Sequence, residues 1–138
     1  DGDELRQIFG PINNYDFSSR EDLAIKYSKL CGLIVSQNIN VVICTISLFN
    51  NVHLSIRKLI DHYLEVFLDT PIDVLKARDP KNIYSRFSEG LLTDVVGLDL
   101  PAEFPRNPDL VIQASLNTKV EDSFSLMKKS LSKFLEKN

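Results

Sequence analysis

Leu64-Glu65-Val66-Phe67-Leu68-Asp69-Thr70-Pro71 decides the fold class. The apolar, β-branched and aromatic residues from Leu64 to Asp69 predict a strand, and Thr70-Pro71 closes it. Pro71 then suits the first turn of a helix over Ile72–Ala77, because its fixed φ and missing N–H cost nothing there. A strand running straight into a helix is half of a parallel β-α-β unit. Two further segments complete the pattern. Val41-Val42-Ile43-Cys44-Thr45-Ile46 is a continuous β-branched run, which predicts a strand covered on both faces. Asp109-Leu110-Val111-Ile112 predicts a third short strand.

Helical patterns separate the strands. Ser18-Ser19-Arg20-Glu21-Asp22 supplies hydroxyl caps and early acids. Leu23, Tyr27, Leu30, Cys31 and Ile34 follow at helical spacing, and Gln37-Asn38-Ile39-Asn40 ends that helix. Thr118-Lys119-Val120-Glu121 reads as a capping box opening a helix to about Leu135. Val120, Phe124, Met127, Leu131, Phe134 and Leu135 form its apolar stripe, expected to pack in the core. The class is therefore α/β with a mainly parallel sheet. Residues 1–138 are expected to form a single domain.

The sequence has 43% hydrophobic and 25% charged residues, ordinary for a globular protein, and a net charge of −3. No partnership with nucleic acid or anionic membrane is expected from that charge. Lys128, Lys129, Lys133 and Lys137 suit a solvated helix C-terminus. No apolar run reaches the ~20 residues of a membrane span. With no signal peptide in view, a cytoplasmic setting is expected. Cys31 and Cys44 both sit in apolar surroundings and are expected as buried, reduced thiols. His53 and His62 have no partner at ligand spacing and are expected at the surface.

Ligands of parallel α/β sheets bind at the C-terminal ends of the strands, which directs attention to Ser47-Leu48-Phe49-Asn50 and Asp69-Thr70-Pro71. Asp1-Gly2-Asp3-Glu4-Leu5-Arg6 reads as a loop offering an acid to a substrate. Arg78-Asp79-Pro80-Lys81, with Tyr84 and Arg86, gathers cations of the kind phosphoryl transfer needs to neutralise charge. An Arg there could lie flat on an adenine. An ion pair between Arg78 and Asp79 at a helix end accounts for the same residues equally well. The stretch from Tyr84 to Pro108 holds Gly90, Gly97, Pro101, Pro105 and Pro108, and its weak pattern suggests a lid or binding loop over about residues 82–108.

These segments together resemble the adenylylsulfate kinase family of P-loop kinases. Asp1-Gly2-Asp3-Glu4-Leu5-Arg6 resembles its D-G-D-x-[ILV]-R, and Ile46-Ser47 the start of I-S-P-Y-R. Glu65-Val66-Phe67-Leu68-Asp69-Thr70-Pro71 resembles E-V-F-V-D-[TV]-P. Ala77-Arg78-Asp79-Pro80-Lys81 with Tyr84 resembles A-R-D-P-K-G-L-Y, and Asn107-Pro108-Asp109-Leu110 resembles N-P-[DE]-L. The resemblance implies a three-layer P-loop kinase fold and transfer of a phosphoryl group from ATP, with Mg²⁺, to the ribose 3′-hydroxyl of adenylylsulfate in sulfate assimilation. It implies that Asp3 accepts the hydroxyl proton and that Asp1 helps hold Mg²⁺ through water. Arg6 and Arg20 would bind the anionic end of the acceptor, Tyr15 would stack on its base and Ser47 would sit beside it. Arg78 would stack on the adenine of ATP, and Lys81 would belong to the lid. The implied partners are small nucleotides, with a homodimer left open.

The departures from the family pattern carry information too. No G-x-x-x-x-G-K-[ST] occurs in these residues, so the first strand and the P-loop are absent from the sequence and are expected ahead of Asp1. The family's Asn three residues past the Arg matched by Arg20 is Leu23. I-S-P-Y-R is Ile46-Ser47-Leu48-Phe49-Asn50, and the basic lid segment is Ser85 to Thr93 with several cations gone. Val95 stands where a Phe closes the sandwich on the acceptor base. Less π-surface suits a smaller pyrimidine, and Val95-Val96-Gly97 with Asp99 and Pro101 resembles a branch of the family that phosphorylates cytidine diphosphoramidate in capsule modification. The same departures also fit a kinase-like binding module without catalysis.

Overall fold

The structure, a computed structural model, describes residues 2–10 and 15–136. Asp1 and Lys137 lie outside them. Among the described residues, six helices and two strands run in the order α1 (Gly2–Phe9), α2 (Phe17–Val35), α3 (Asn50–Leu59), β1 (Val66–Asp69), α4 (Ile72–Arg78), α5 (Ile83–Ser88), β2 (Leu110–Gln113) and α6 (Val120–Leu135). The contacts divide the chain into two compact units. The first runs up to Tyr63 and includes Leu98–Pro105; the second holds Leu64–Gly97 and the chain from Arg106 onward.

The first unit is built on α2 and α3. Asp16 caps α2, its carboxylate accepting from the Ser19 N–H at 2.8 Å. The sequence pointed to Ser18 and Ser19 instead; Asp16 lies three residues before Ser19, where an Asx cap reaches the third amide of a helix. Those amide bonds hold the Asp16 carboxyl below the ordinary value. Along α2, Ala24 and Cys31 are two turns apart on one face. Ala24 packs with Phe49 and Val52, and Cys31 with Ile56 and Ile60. Phe17 meets Phe49 edge-to-face at 4.9 Å, a favoured aromatic geometry. Gly32 makes the close approach of the helices feasible: a Cβ there would lie 2.8 Å from Leu59 Cδ2. Burial pushes the Cys31 thiol up.

Several sequence expectations in this unit are corrected. Residues 2–9 are helical, not a loop, with Asp3 and Glu4 as acids in the first turn, where the helix dipole favours them. The run Val41–Ile46 pairs with no strand among the described residues. Only alternate residues are covered: Val41 and Ile43 pack on the Cys31 cluster, whereas Val42 is 89% and Ile46 75% exposed. Cys44 is exposed for the same reason, although both thiols are free as expected. His53 is partly buried on α3, and His62 is exposed.

The second unit holds the sheet. β1 and β2 pair in parallel, Val66 opposite Leu110 and Asp69 opposite Gln113, which bears out the parallel α/β reading. Asp109 locks the start of the ladder: its carboxylate accepts from the Glu65 N–H at 2.8 Å, and its own N–H donates to the Glu65 carbonyl at 2.9 Å. Ile112, 2% exposed, is the most buried of its apolar side chains. Pro71 precedes α4 as expected.

The expected lid segment contains α5, started by Asp79. Its carboxylate accepts from the Tyr84 N–H at 3.1 Å and from the Ser85 N–H and hydroxyl, both at 2.9 Å. Desolvation raises the Asp79 carboxyl, but those donors together outweigh it and the net shift is downward. The capping box expected at Thr118 does not form. Thr118 Oγ1 accepts from the Ser115 N–H at 2.8 Å, and Lys119 stands at the cap position of α6 without a side-chain bond. None of the described residues of α6 is buried, and Val120 is 79% exposed, so its apolar stripe is not core in this unit. No described helix is long and apolar enough to cross a membrane.

Ile112→Ala should lower the unfolding free energy by about 2–5 kcal/mol, the range for a large buried aliphatic cut to Ala. An unchanged urea midpoint would remove Ile112 from the core. Asp79→Asn should lower Tm by a few degrees at neutral pH through loss of the α5 start. Because the folded-state pKa is depressed, the wild-type advantage is complete above the ordinary value of 3.8 and fades as pH falls through the lower folded value. Thermal melts of both proteins from neutral pH into acid check this; a constant gap would rule out an Asp79 charge contribution.

Candidate functional site

Five of the expected site residues lie in the first unit. Asp3 and Arg6 stand one turn apart on α1, and the guanidinium pairs with the carboxylate. The start of α1 is fixed by the Gly2 N–H, which donates to the Cys44 carbonyl at 3.1 Å. Ser47 follows three residues later and shares a 2.8 Å hydroxyl contact with Thr45. At its other end, Phe9 meets the Tyr27 ring of α2 at 5.8 Å. Tyr27 is 5% exposed. Burial pushes its phenol up, and the Arg6 cation near that hydroxyl pulls the other way.

Tyr15 and Arg20 are brought together directly. Arg20 Nε donates to the Tyr15 carbonyl at 2.6 Å, and its guanidinium lies 5.2 Å from the centre of the Tyr15 ring. The carbonyl bond holds the cation over the ring, a pairing worth ~0.5–1 kcal/mol at exposed sites. Arg20 and Tyr27 are seven residues apart on α2, two turns and about 10 Å along one face. An acid–arginine pair and an arginine–aromatic pair thus share one side of α2.

Three expected residues lie in the second unit. Arg78 ends α4, exposed, and donates from one terminal nitrogen to the Ser115 carbonyl at 2.6 Å. Asp79 is engaged with Tyr84 and Ser85 instead, so the geometry does not favour the Arg78–Asp79 pair. Lys81 is exposed, and Val95 is buried. Asp1, expected at the metal, lies outside the described residues.

The sequence missed three contributors. Glu103 accepts from the Asn50 N–H at 2.7 Å and donates its own N–H to the Leu48 carbonyl at 3.1 Å, which fixes the segment after Ser47. Its separation of 53 residues from Asn50 left no local signal. Tyr27 was visible only as one more apolar position. The Ser115–Thr118 turn was hidden by its likeness to a helix cap.

These side chains could bind an anion (Arg6, Arg20), stack on a base (Tyr15) and accept a proton (Asp3), and Arg78 is a third planar cation, tied to Ser115 in the turn after β2. The family profile described as adenylylsulphate kinase matches residues 1–113. The cytidine diphosphoramidate kinase of Campylobacter jejuni is 34% identical over 131 residues, covering 95% of this chain and 76% of that protein. The adenylyl-sulfate kinase of Clostridium kluyveri is 32% identical over 119 residues, covering 86% of this chain and 60% of that protein. The solved APS kinase CysC of Mycobacterium tuberculosis, in complex with AMPPNP and APS, has a TM-score of 0.76 and 26% identity, covering 92% of this chain and 77% of that one. On the profile match and the shared fold, the chain belongs to the adenylylsulphate kinase family.

Proposed function

We propose that this chain acts as one ATP-dependent kinase domain that phosphorylates the ribose 3′-hydroxyl of adenylylsulfate. The observation that carries the reading is the gathering of Asp3–Arg6 and Tyr15–Arg20 on one side of α2. Arg6 and Arg20 neutralise the acceptor's anionic end, Tyr15 stacks on its base, and Ser47 sits beside it; Val95 takes the position of the family's base-contacting Phe in the sequence. An incoming anion competes with Asp3 for Arg6. That leaves the Asp3 carboxylate to take the proton of the attacking hydroxyl as the oxygen bonds to the terminal phosphorus of ATP, the bond from that phosphorus to the β–γ bridging oxygen breaks, and ADP leaves with the bridging oxygen. Arg78 lies against the adenine of ATP, and Lys81 with the segment around residues 82–108 acts as the lid.

Mg²⁺ in such reactions is held by one or two carboxylates and the substrate's phosphates, and it neutralises charge on the transferred group. Asp3 is engaged by Arg6, so Asp1, acting through water, is the proposed metal partner. Sulfate assimilation in the cytoplasm belongs to the same proposal. A second acceptor, cytidine diphosphoramidate, is favoured by the named activity of the Campylobacter jejuni relative and by Val95 in place of an aromatic ring.

Asp3→Asn should cut turnover by roughly 10²–10⁴-fold while leaving nucleotide affinity nearly intact, as loss of a general base does. Unchanged turnover would remove Asp3 from the mechanism. Tyr15→Ala should weaken the acceptor by roughly 5- to 100-fold, the range of one lost base stack, and leave the KM for ATP alone. A loss confined to ATP would reverse the two sites. ADP release measured side by side with adenylylsulfate and the cytidine compound decides the acceptor. Binding of both nucleotides with no ADP release from either would support a non-catalytic module instead.

A further inference from the structure

Arg78 is an exposed planar cation tied to a residue distant in sequence, and the tie itself is held. The Ser115 carbonyl that receives Arg78 at 2.6 Å belongs to a turn closed by Thr118. The Thr118 hydroxyl accepts from the Ser115 N–H at 2.8 Å and lies 3.0 Å from the Ser115 hydroxyl. The Thr118 N–H donates to the Ser115 carbonyl at 3.3 Å, so that oxygen is shared between the turn and the arginine. Both groups of Ser115's backbone are therefore fixed by the same residue. The turn follows β2, whose last residue pairs with Asp69 at the end of β1. Arg78 ends the helix that follows β1. Strand pairing brings the two segments near each other, and Thr118 sets the position of the oxygen that orients the guanidinium.

We infer that Thr118 is a positioning residue for the ATP-base site: its hydroxyl, accepting from the Ser115 N–H, closes the turn in which the Thr118 N–H meets the Ser115 carbonyl, and that carbonyl presents the Arg78 plane to the purine. The inference rests on the proposed role of Arg78 and goes beyond it. A guanidinium stacks on a base only when its plane is parallel to the ring. One terminal N–H given to a fixed carbonyl sets that plane and removes rotamer freedom that binding would otherwise have to take away. Thr118 touches no nucleotide in this scheme; it acts through Ser115 and Arg78. The hydroxyl is the active group, so Ser can replace Thr and Val cannot.

The test titrates ADP into the full chain and its variants, with Tm and the KM for ATP and acceptor measured beside it. Arg78→Ala should weaken ADP by roughly tenfold, within the range of one base stack. Thr118→Val should weaken ADP by roughly 3- to 10-fold, raise the KM for ATP alike and leave the KM for the acceptor unchanged. Thr118→Ser should return ADP affinity to within twofold of wild type. Adding Thr118→Val to Arg78→Ala should bring no further loss, because the two act on one contact. Thr118→Val without effect, while Arg78→Ala weakens ADP, overturns the inference and leaves the base site standing. A loss from Thr118→Val that persists undiminished in the Arg78→Ala background also overturns it, since Thr118 then acts elsewhere. Unchanged ADP affinity in Arg78→Ala overturns the base site itself, and the inference with it. If Thr118→Val unfolds, the Thr118→Ser and Thr118→Ala pair decides by the same criterion.

Discussion

The second unit depends on the parallel pairing of Val66–Asp69 with Leu110–Gln113. These strands lie 44 residues apart in sequence, and the loop-closure entropy of joining them must be repaid by the ladder and by what it buries. Glu65 and Asp109 tie the entry of the ladder, Ile112 buries its centre, and the Ala114 N–H extends it by donating to the Asp69 carbonyl at 3.0 Å. Parallel pairing has a geometric result that antiparallel pairing lacks. Both strands finish at the same edge, so whatever follows each of them meets there. The segment after β1 leads to Arg78, and the segment after β2 is the turn that receives it.

Helix α2 plays the corresponding part in the first unit. One face carries Ala24 and Cys31 into the contacts with α3, and Gly32 lets that partner come close. Gly32 lies in the last turn of α2, where a glycine still costs up to about 1 kcal/mol against Ala, so close packing is the physical reason to have it there. The same helix presents Arg20 and Tyr27 two turns apart. Through Tyr27 it receives α1, and through Arg20 it holds Tyr15. A rigid rod with a fixed repeat is a better support for binding groups than a loop, because the separation of its side chains is set by the backbone.

The parts legible in the sequence were those whose signal is local. The run before Pro71, the helix after it, the strand at Leu110 and the long helix after Lys119 all carry their pattern within a few residues. The failures share one cause, a residue type with two uses. Gly2 between two acids suggests a loop, yet acids in a first helical turn are equally favoured. Val41–Ile46 has the composition of a buried strand, but composition names no partner to cover Val42 and Ile46. Thr118 has the spacing of a helix cap, and its hydroxyl turns back to Ser115. For the site, motif resemblance named Asp3, Arg6, Tyr15, Arg20 and Arg78. It carried no information on which of them touch, because contacts such as Arg78 with Ser115 span 37 residues.

The Tyr15–Arg20 pair also bears on how an acceptor is chosen. With the guanidinium over one face of the ring, the proposed base stack falls to the other, so the pair would offer one π-surface backed by a cation. Such a surface is tolerant: every base has a π-face, and stacking strength separates adenine from cytosine weakly. Arg6 and Arg20 are equally undemanding, since a phosphate or sulfate group meets the same fork of donors whatever base is attached. Strong discrimination between nucleotides comes from hydrogen bonds to groups that only one of them possesses, because the wrong ligand then leaves a buried polar group unpaired. Under the proposed function, selectivity between the two acceptors must therefore be built from side chains that reach the edge of the base, with Tyr15, Arg20 and Arg6 assigned to its face and its charge.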